Sequence, residues 1–207
     1  MDPPPSTVEE LRALLLESDT KRWHEVAARV RDGFEDERLL VERIHEPGIW
    51  VLVGAPGAGK TTFARTVAGA GRGVVLMEEI RRAGGWSFDD PEFVTTAYDL
   101  ALRRIEAGLP AGTLLDSTGL YTPARERYLA LGREHELPVR ALVLATEPQL
   151  AWERSLEKGW ERPEIFFRFL SSLCFYLDEM SEEEGWTSRH WLDAEAQRRV
   201  REAWRRS

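Results

Sequence analysis

Residues 49–61 read Ile49-Trp50-Val51-Leu52-Val53-Gly54-Ala55-Pro56-Gly57-Ala58-Gly59-Lys60-Thr61. The first five form an apolar run rich in β-branched residues, as in a strand buried on both faces. The next eight fit G-x-x-x-x-G-K-[ST], a glycine loop whose backbone N–H groups cradle a polyphosphate. From Thr61 to Ala70, Phe63, Ala64, Val67 and Ala68 recur at helical spacing. Strand, loop and helix in that order aim a helix N-terminus at an anion. Gly54, Ala55, Pro56, Gly57, Ala58, Gly59, Lys60, Thr61 and Thr62 are therefore the candidate nucleotide-binding residues. Lys60 reaches the β- and γ-phosphates, and the Thr61 hydroxyl is a candidate Mg²⁺ ligand.

Outward toward the C-terminus, strand and helix signals alternate. Gly73–Met77 predicts a second strand, Thr113–Asp116 a third and Val139–Ala145 a fourth. Trp186–Leu192 alternates and is a candidate fifth strand. Helical patterns lie between them: one opened by Asp89-Asp90-Pro91, one by Thr122-Pro123, one by Glu147-Pro148, and a long aromatic one over 164–180. Asp193 caps a last helix carrying Val200 and Trp204. Such alternation predicts an α/β fold, a parallel sheet covered by helices on both faces. Ligands on such sheets bind beyond the strand C-terminal ends, where the phosphate loop, Glu78 and Asp116 all fall.

Outward toward the N-terminus, Met1–Pro5 holds three prolines and starts no packed element. Thr7-Val8-Glu9-Glu10 reads as a capping box. Two helices are expected next, one with Val8, Leu11, Leu14 and Leu15, the other from about Thr20 with Trp23, Val26, Val30 and Phe34. A third short helix or a continuation carries Leu39–Ile44 and ends at Pro47-Gly48. Residues 1–46 are thus expected to be a helical extension and 47–207 the nucleotide domain. The extension either packs on the sheet or carries a partner. His24 and His45 lack metal-ligand spacing.

Composition excludes several classes. The 207 residues carry a formal net charge of −8 with no long basic run, which argues against broad electrostatic binding of nucleic acid. Cys174 is the only cysteine, so no intrachain disulfide forms, and it reads as a small core residue. No signal peptide or membrane-spanning run is seen, so a cytoplasmic location and no membrane partner are expected. Asn is absent, which rules out the Asn-Lys-x-Asp guanine motif. The same scarcity of amides fits either a thermophile or GC-rich codon usage.

Asp116, ending an apolar strand, is placed to hold Mg²⁺ directly or through water, although a turn Asp has the same letters. Glu78 and Arg81 share a face if a helix begins at Glu78. There a carboxylate can accept a proton and an arginine can hold an anionic acceptor, but on spacing alone a solvated acidic helix start is the better reading. Arg154, Lys158 and Arg162 recur every four residues, as lid cations do, or as a charged helix face pairing with Glu153 and Glu157. Trp86 and Trp160 lie in glycine-flanked segments and are expected to pack rather than stack on a base.

These residues together resemble the polynucleotide-kinase-like group of P-loop kinases, an AAA-type P-loop NTPase family, over about Ile49–Arg168. In that family the second strand ends in Asp-Asp-x-Arg, matched here by Glu78-Glu79-Ile80-Arg81. The third ends in Asp-x-Thr-Asn before a helix with an early Arg, matched by Asp116-Ser117-Thr118-Gly119 and by Arg125 or Arg127. The lid order is matched by Arg154, Lys158, Arg162 and Pro163-Glu164. The resemblance implies a three-layer αβα fold with a five-stranded parallel sheet in the order 2-3-1-4-5. It also implies an ATP- and Mg²⁺-dependent kinase with Lys60, Glu78 and Arg154 catalytic, and with Lys158 and Arg162 on the nucleotide. Arg81 and Thr118 would then face the acceptor, and Thr61 and Asp116 the metal. Two positions depart from the pattern: Glu78 replaces an Asp, which moves the carboxylate outward by about 1.5 Å at most, and Gly119 replaces an Asn. The expected acceptor is a hydroxyl, on a nucleic-acid 5′ end or on a small molecule. The alternative is an ATP-binding switch protein with slow hydrolysis.

Overall fold

Alternate residues of one strand divide the interior in two. Ile49, Val51 and Val53 lie in one buried cluster and Trp50 and Leu52 in another, because successive side chains of a strand face opposite sides of its sheet. That strand, β1 (Ile49–Val53), is central in a computed structural model of the chain, which describes residues 7–43, 45–68, 72–87, 90, 93–109, 112–117, 122–158, 163–180 and 182–206. The other strands are β2 (Gly73–Leu76), β3 (Thr113–Asp116), β4 (Val139–Leu144) and β5 (Ser188–Leu192). All pairings are parallel and the order is β2-β3-β1-β4-β5, as the resemblance implies.

Nine α-helices are found among the described residues: α1 (Val8–Val30), α2 (Glu37–Glu42), α3 (Lys60–Ala68), α4 (Met77–Gly84), α5 (Tyr98–Gly108), α6 (Thr122–Glu134), α7 (Pro148–Glu157), α8 (Pro163–Glu179) and α9 (Ala194–Arg206). One face of the sheet meets Trp23 and Val26 of α1, Ala101 and Ile105 of α5, Tyr128 and Leu129 of α6, and Phe166 and Leu170 of α8. The other meets Leu40 of α2, Phe63 and Ala64 of α3, and Val200 and Trp204 of α9. The result is three layers, helix on sheet on helix. Each large apolar side chain so buried stabilises the fold by roughly 1.5–3 kcal/mol before entropy is counted. On the second face, the Trp204 ring meets Trp50 and Phe63 edge-on, with centroids 5.7 and 5.8 Å apart. Cys174 is buried in the first, and burial pushes its thiol up to about 11.

The expected pair of N-terminal helices is a single helix of 23 residues. Ser18-Asp19-Thr20 contains no glycine or proline to break it, and the helix is held along its length from outside. Asp19 accepts from Ser171 Oγ at 3.2 Å, His24 Nε2 lies 2.8 Å from Glu147 Oε2, and Arg29 donates to Asp178 at 2.7 Å. Trp23 stacks on Trp191, centroids 5.5 Å apart. The capping box at Thr7 and Glu10 forms as read: each side chain accepts from the other's backbone N–H at 3.1 Å. α1 thus packs on α8 and α7 and shares the sheet's core. The helix expected from Asp89 has its start outside the described residues; Phe93–Ala97 is one π-helical turn leading into α5.

Candidate nucleotide and phosphoryl-transfer site

β1 ends at Val53, and the chain curls through Gly54–Gly59 into α3. The turn needs glycine at two points, since Gly57 (φ +76°) and Gly59 (φ +98°) lie in the left-handed region. Gly57 also has no room for a side chain: a Cβ would stand 2.0 Å from the Ala151 carbonyl oxygen of α7. The loop is therefore packed directly against the helix that carries Arg154. No local pattern in the sequence announces Ala151, because the contact bridges elements nearly a hundred residues apart.

Lys60 Nζ donates to the carbonyls of Gly54 and Ala55 at 2.8 and 2.9 Å. Burial pulls its ammonium down to about 8, against the attraction of Asp116 and with the repulsion of Lys158. The ammonium is thus folded back over the loop, where phosphate oxygens would compete for it.

Register places the acids. Asp116 pairs with Leu52 of β1 and Leu76 of β2, so the last residue of β3 stands beside the start of the loop. Its Oδ2 accepts from Thr61 Oγ1 at 2.8 Å. Burial raises the Asp116 carboxyl above its usual range; Lys60, Thr61 and Lys158 draw it back, and Glu78 pushes it further up. A carboxylate and a hydroxyl joined in this way are hard oxygen donors, the chemistry that Mg²⁺ requires, and a cation there would relieve the penalty that burial puts on Asp116.

β2 runs straight into α4, so Glu78 leaves the sheet two residues past Leu76. Glu78 accepts two bonds from Arg81, at 2.8 and 2.7 Å, and one from Arg82 at 2.7 Å. Burial would raise its carboxyl, but the two guanidiniums outweigh burial and hold it below the usual range. Arg81 is fixed in turn by the Trp86 carbonyl at 2.8 Å, and Trp86 packs against the core.

Lys60, Thr61, Glu78, Arg81 and Asp116 therefore gather at one sheet edge, and Lys158 lies near enough to act on both Lys60 and Asp116. Arg154 is half-buried on α7 with no partner among the described residues. Thr118, Gly119, Trp160 and Arg162 lie outside the described residues. The two early arginines of α6 are committed elsewhere. Arg125 is fully buried, donates to Glu184 at 2.9 and 2.6 Å and lies over the Tyr176 ring. Arg127 pairs with Asp99.

No described helix is long and apolar enough to cross a membrane. No curated protein matches the chain. Among solved structures, shikimate kinase from Acinetobacter baumannii in complex with shikimate is 21% identical, with a TM-score of 0.53, covering 78% of this chain and 93% of that one. Kti12 from Chaetomium thermophilum in complex with ADP-AlF3 is 19% identical, with a TM-score of 0.50, covering 74% of this chain and 95% of that one. A gluconokinase from Sinorhizobium meliloti 1021 is 15% identical, with a TM-score of 0.49, over 77% and 93%. The likeness to the shikimate kinase and to Kti12 shows a P-loop kinase-like fold. The family model for the AAA domain matches residues 49–165, from the first residue of β1 to the first turn of α8. The match does not single out the polynucleotide-kinase-like group that the motifs resemble. With more than half its length in that match, the chain belongs to the AAA domain family.

Proposed function

We propose that this protein is an ATP-dependent phosphotransferase that moves a γ-phosphoryl group to the hydroxyl of a small molecule. The observation that carries the reading is the convergence of Lys60, Asp116 and Glu78 from three adjacent strand ends upon one glycine loop. The loop amides and Lys60 hold the phosphates, and Arg154 and Lys158 approach from α7. When Mg²⁺ is bound, Thr61 and Asp116 would hold it, and it would neutralise charge on the phosphates. Glu78 then faces the acceptor hydroxyl. Its low basicity is tolerable, because phosphoryl transfer passes through a loose transition state that asks more for positioning than for a strong base. Arg81 orients Glu78 and is placed to meet an anionic group on the acceptor.

A small acceptor is favoured over a nucleic-acid 5′ end by the two early arginines of α6. The resemblance matches one of them to an early helix arginine of the family, and both are here neutralised by Glu184 and Asp99. A polyanionic strand needs several uncommitted cations. The shikimate kinase similar in fold holds a small acceptor, in keeping with this reading. A second reading, an ATP-binding switch with slow hydrolysis, is favoured by one observation: among the described residues, the side-chain hydrogen bonds that Glu78 makes go to arginines.

Incubation with γ-labelled ATP, a mixture of hydroxylated metabolites and 5′-hydroxyl oligonucleotides separates the readings. Label in a small molecule, lost in Lys60→Ala, is the expected result. Label in the oligonucleotide would restore the polynucleotide reading. Label in free phosphate alone would favour the switch and sink the kinase proposal.

A further inference from the structure

Resting on the nucleotide-binding reading above, we propose that Thr146 and Gln197, both outside the motif, are positioning residues that turn the Gly59 amide toward the nucleotide phosphates. Thr146 lies two residues beyond β4, and Gln197 lies in the first turns of α9; both are buried. Thr146 Oγ1 donates to the Ala58 carbonyl at 3.0 Å, across 88 residues of sequence. Gln197 Nε2 donates to Thr146 Oγ1 at 3.2 Å, across 51 residues, and to the Leu192 carbonyl at 3.0 Å.

The direction of this relay is fixed by proton count. A glutamine Nε2 has two protons, and both are used here, one on Thr146 and one on Leu192. A threonine hydroxyl has a single proton. Because Gln197 donates to that oxygen, the hydroxyl proton goes to Ala58. The Gln197 Oε1 is left beside the loop, 3.5 Å from where a Gly59 Cβ would stand. Leu192 is itself held in the sheet, accepting from Ala145 N at 2.8 Å. The chain of bonds thus runs from β5 and α9 into the crown of the phosphate loop.

Peptide geometry gives the consequence. Across a planar trans peptide the C=O and N–H point in opposite directions. Drawing the Ala58 carbonyl outward to Thr146 turns the Gly59 N–H the other way, into the concavity where loop amides meet an anion. Gly59 has φ +98°, so this peptide sits where a glycine can rotate readily. An external tether at that point selects one rotation in advance of the ligand and lowers the cost of ordering the cradle on binding.

The test compares affinity for Mg·ADP and for adenosine, by competition with a fluorescent nucleotide, together with thermal midpoints. Thr146→Val keeps the shape and removes the donor. It is expected to weaken Mg·ADP roughly tenfold to a hundredfold and to leave adenosine unchanged. Thr146→Ser restores the affinity, and Gln197→Met gives a smaller loss of the same pattern. Parallel loss of ADP and adenosine would mark a merely structural role and overturn the proposal. So would wild-type ADP affinity in Thr146→Val, or no rescue by serine. If the valine variant does not fold, an unchanged ratio of ADP to adenosine affinity in Gln197→Met overturns it alone. Lys60→Met separates the two proposals: if it loses ADP while Thr146→Val does not, the relay falls and the nucleotide reading stands. If the wild-type protein binds no Mg·ADP, both fall.

Discussion

Gly57 and Ala151 are in backbone contact: a Cβ on the glycine would stand 2.0 Å from the alanine carbonyl oxygen and 2.7 Å from Ser155 Oγ. The phosphate loop and α7 are thereby one rigid piece, and α7 is the helix that carries Arg154. The Ala151 carbonyl is main chain and cannot yield, and Gly57 is also at φ +76°, where alanine is strained. Gly57→Ala is expected to lower stability by about 1–3 kcal/mol and to weaken Mg·ATP binding at least tenfold. Denaturant unfolding and calorimetry check the two effects. A variant with native stability and native affinity would show that loop and helix are not coupled in this way.

The depressed Lys60 pKa couples nucleotide binding to protons. Phosphate oxygens favour the ammonium, so its pKa rises on binding from about 8. Above that pH the protein must take up a proton to bind, and affinity falls as pH rises. Calorimetry at pH 8.5 in two buffers of different ionisation enthalpy should register proton uptake that vanishes in Lys60→Met. Stability without nucleotide moves the other way. Between about 8 and the ordinary 10.5, the unfolded chain holds the Lys60 proton and the folded chain does not, so the wild-type protein gains stability with rising pH relative to Lys60→Met. The opposite slope would mean that burial does not dominate at this lysine.

Glu78 and its two arginines give a test of the proposed base. Glu78→Gln preserves size and removes the proton acceptor; turnover should fall about 10²-fold with the KM for ATP little changed. Arg82→Ala removes one of the groups that hold the Glu78 carboxyl below its usual range. Its pKa then rises, and the acid limb of the kcat/KM profile moves to higher pH. A profile that stays in place would assign that limb to another group and leave Glu78 a positioning role.

The fold was largely legible because its signals are local. Ile49–Val53 is apolar without a break, the loop follows its pattern, and Asp116 closes a short apolar strand, so local pattern alone marks the strand ends and the acids there. The sheet order came from resemblance, since periodicity cannot order strands. The break expected within α1 is absent: Asp19, in the polar stretch at Ser18–Lys21, finds a partner on α8. Ala151, Thr146 and Gln197 were invisible for the opposite reason: each acts on the loop only through a contact that the tertiary fold creates. Arg125 matches the early helix arginine of the family pattern, and its burial against Glu184 is a tertiary contact that the pattern does not carry.

That Arg125–Glu184 pair yields the last prediction. Arg125 has a side chain 1% exposed and Glu184 one 16% exposed. Glu184 also accepts from Trp186 Nε1 at 2.9 Å, so one carboxylate serves α6 and the turn that leads into β5. Removing it leaves a desolvated guanidinium without its countercharge, a penalty larger than the net worth of the pair. Glu184→Ala is therefore expected to destabilise the protein by about 3–5 kcal/mol. Replacing both residues, as in Arg125→Met with Glu184→Leu, removes the buried charge altogether and should recover much of that loss. Because the pair is spent on the scaffold, variants that still fold should keep the KM for the acceptor, and a rise in that KM with native stability would place Arg125 at the acceptor site. Urea unfolding of the single and double variants, with steady-state kinetics on those that fold, measures both terms.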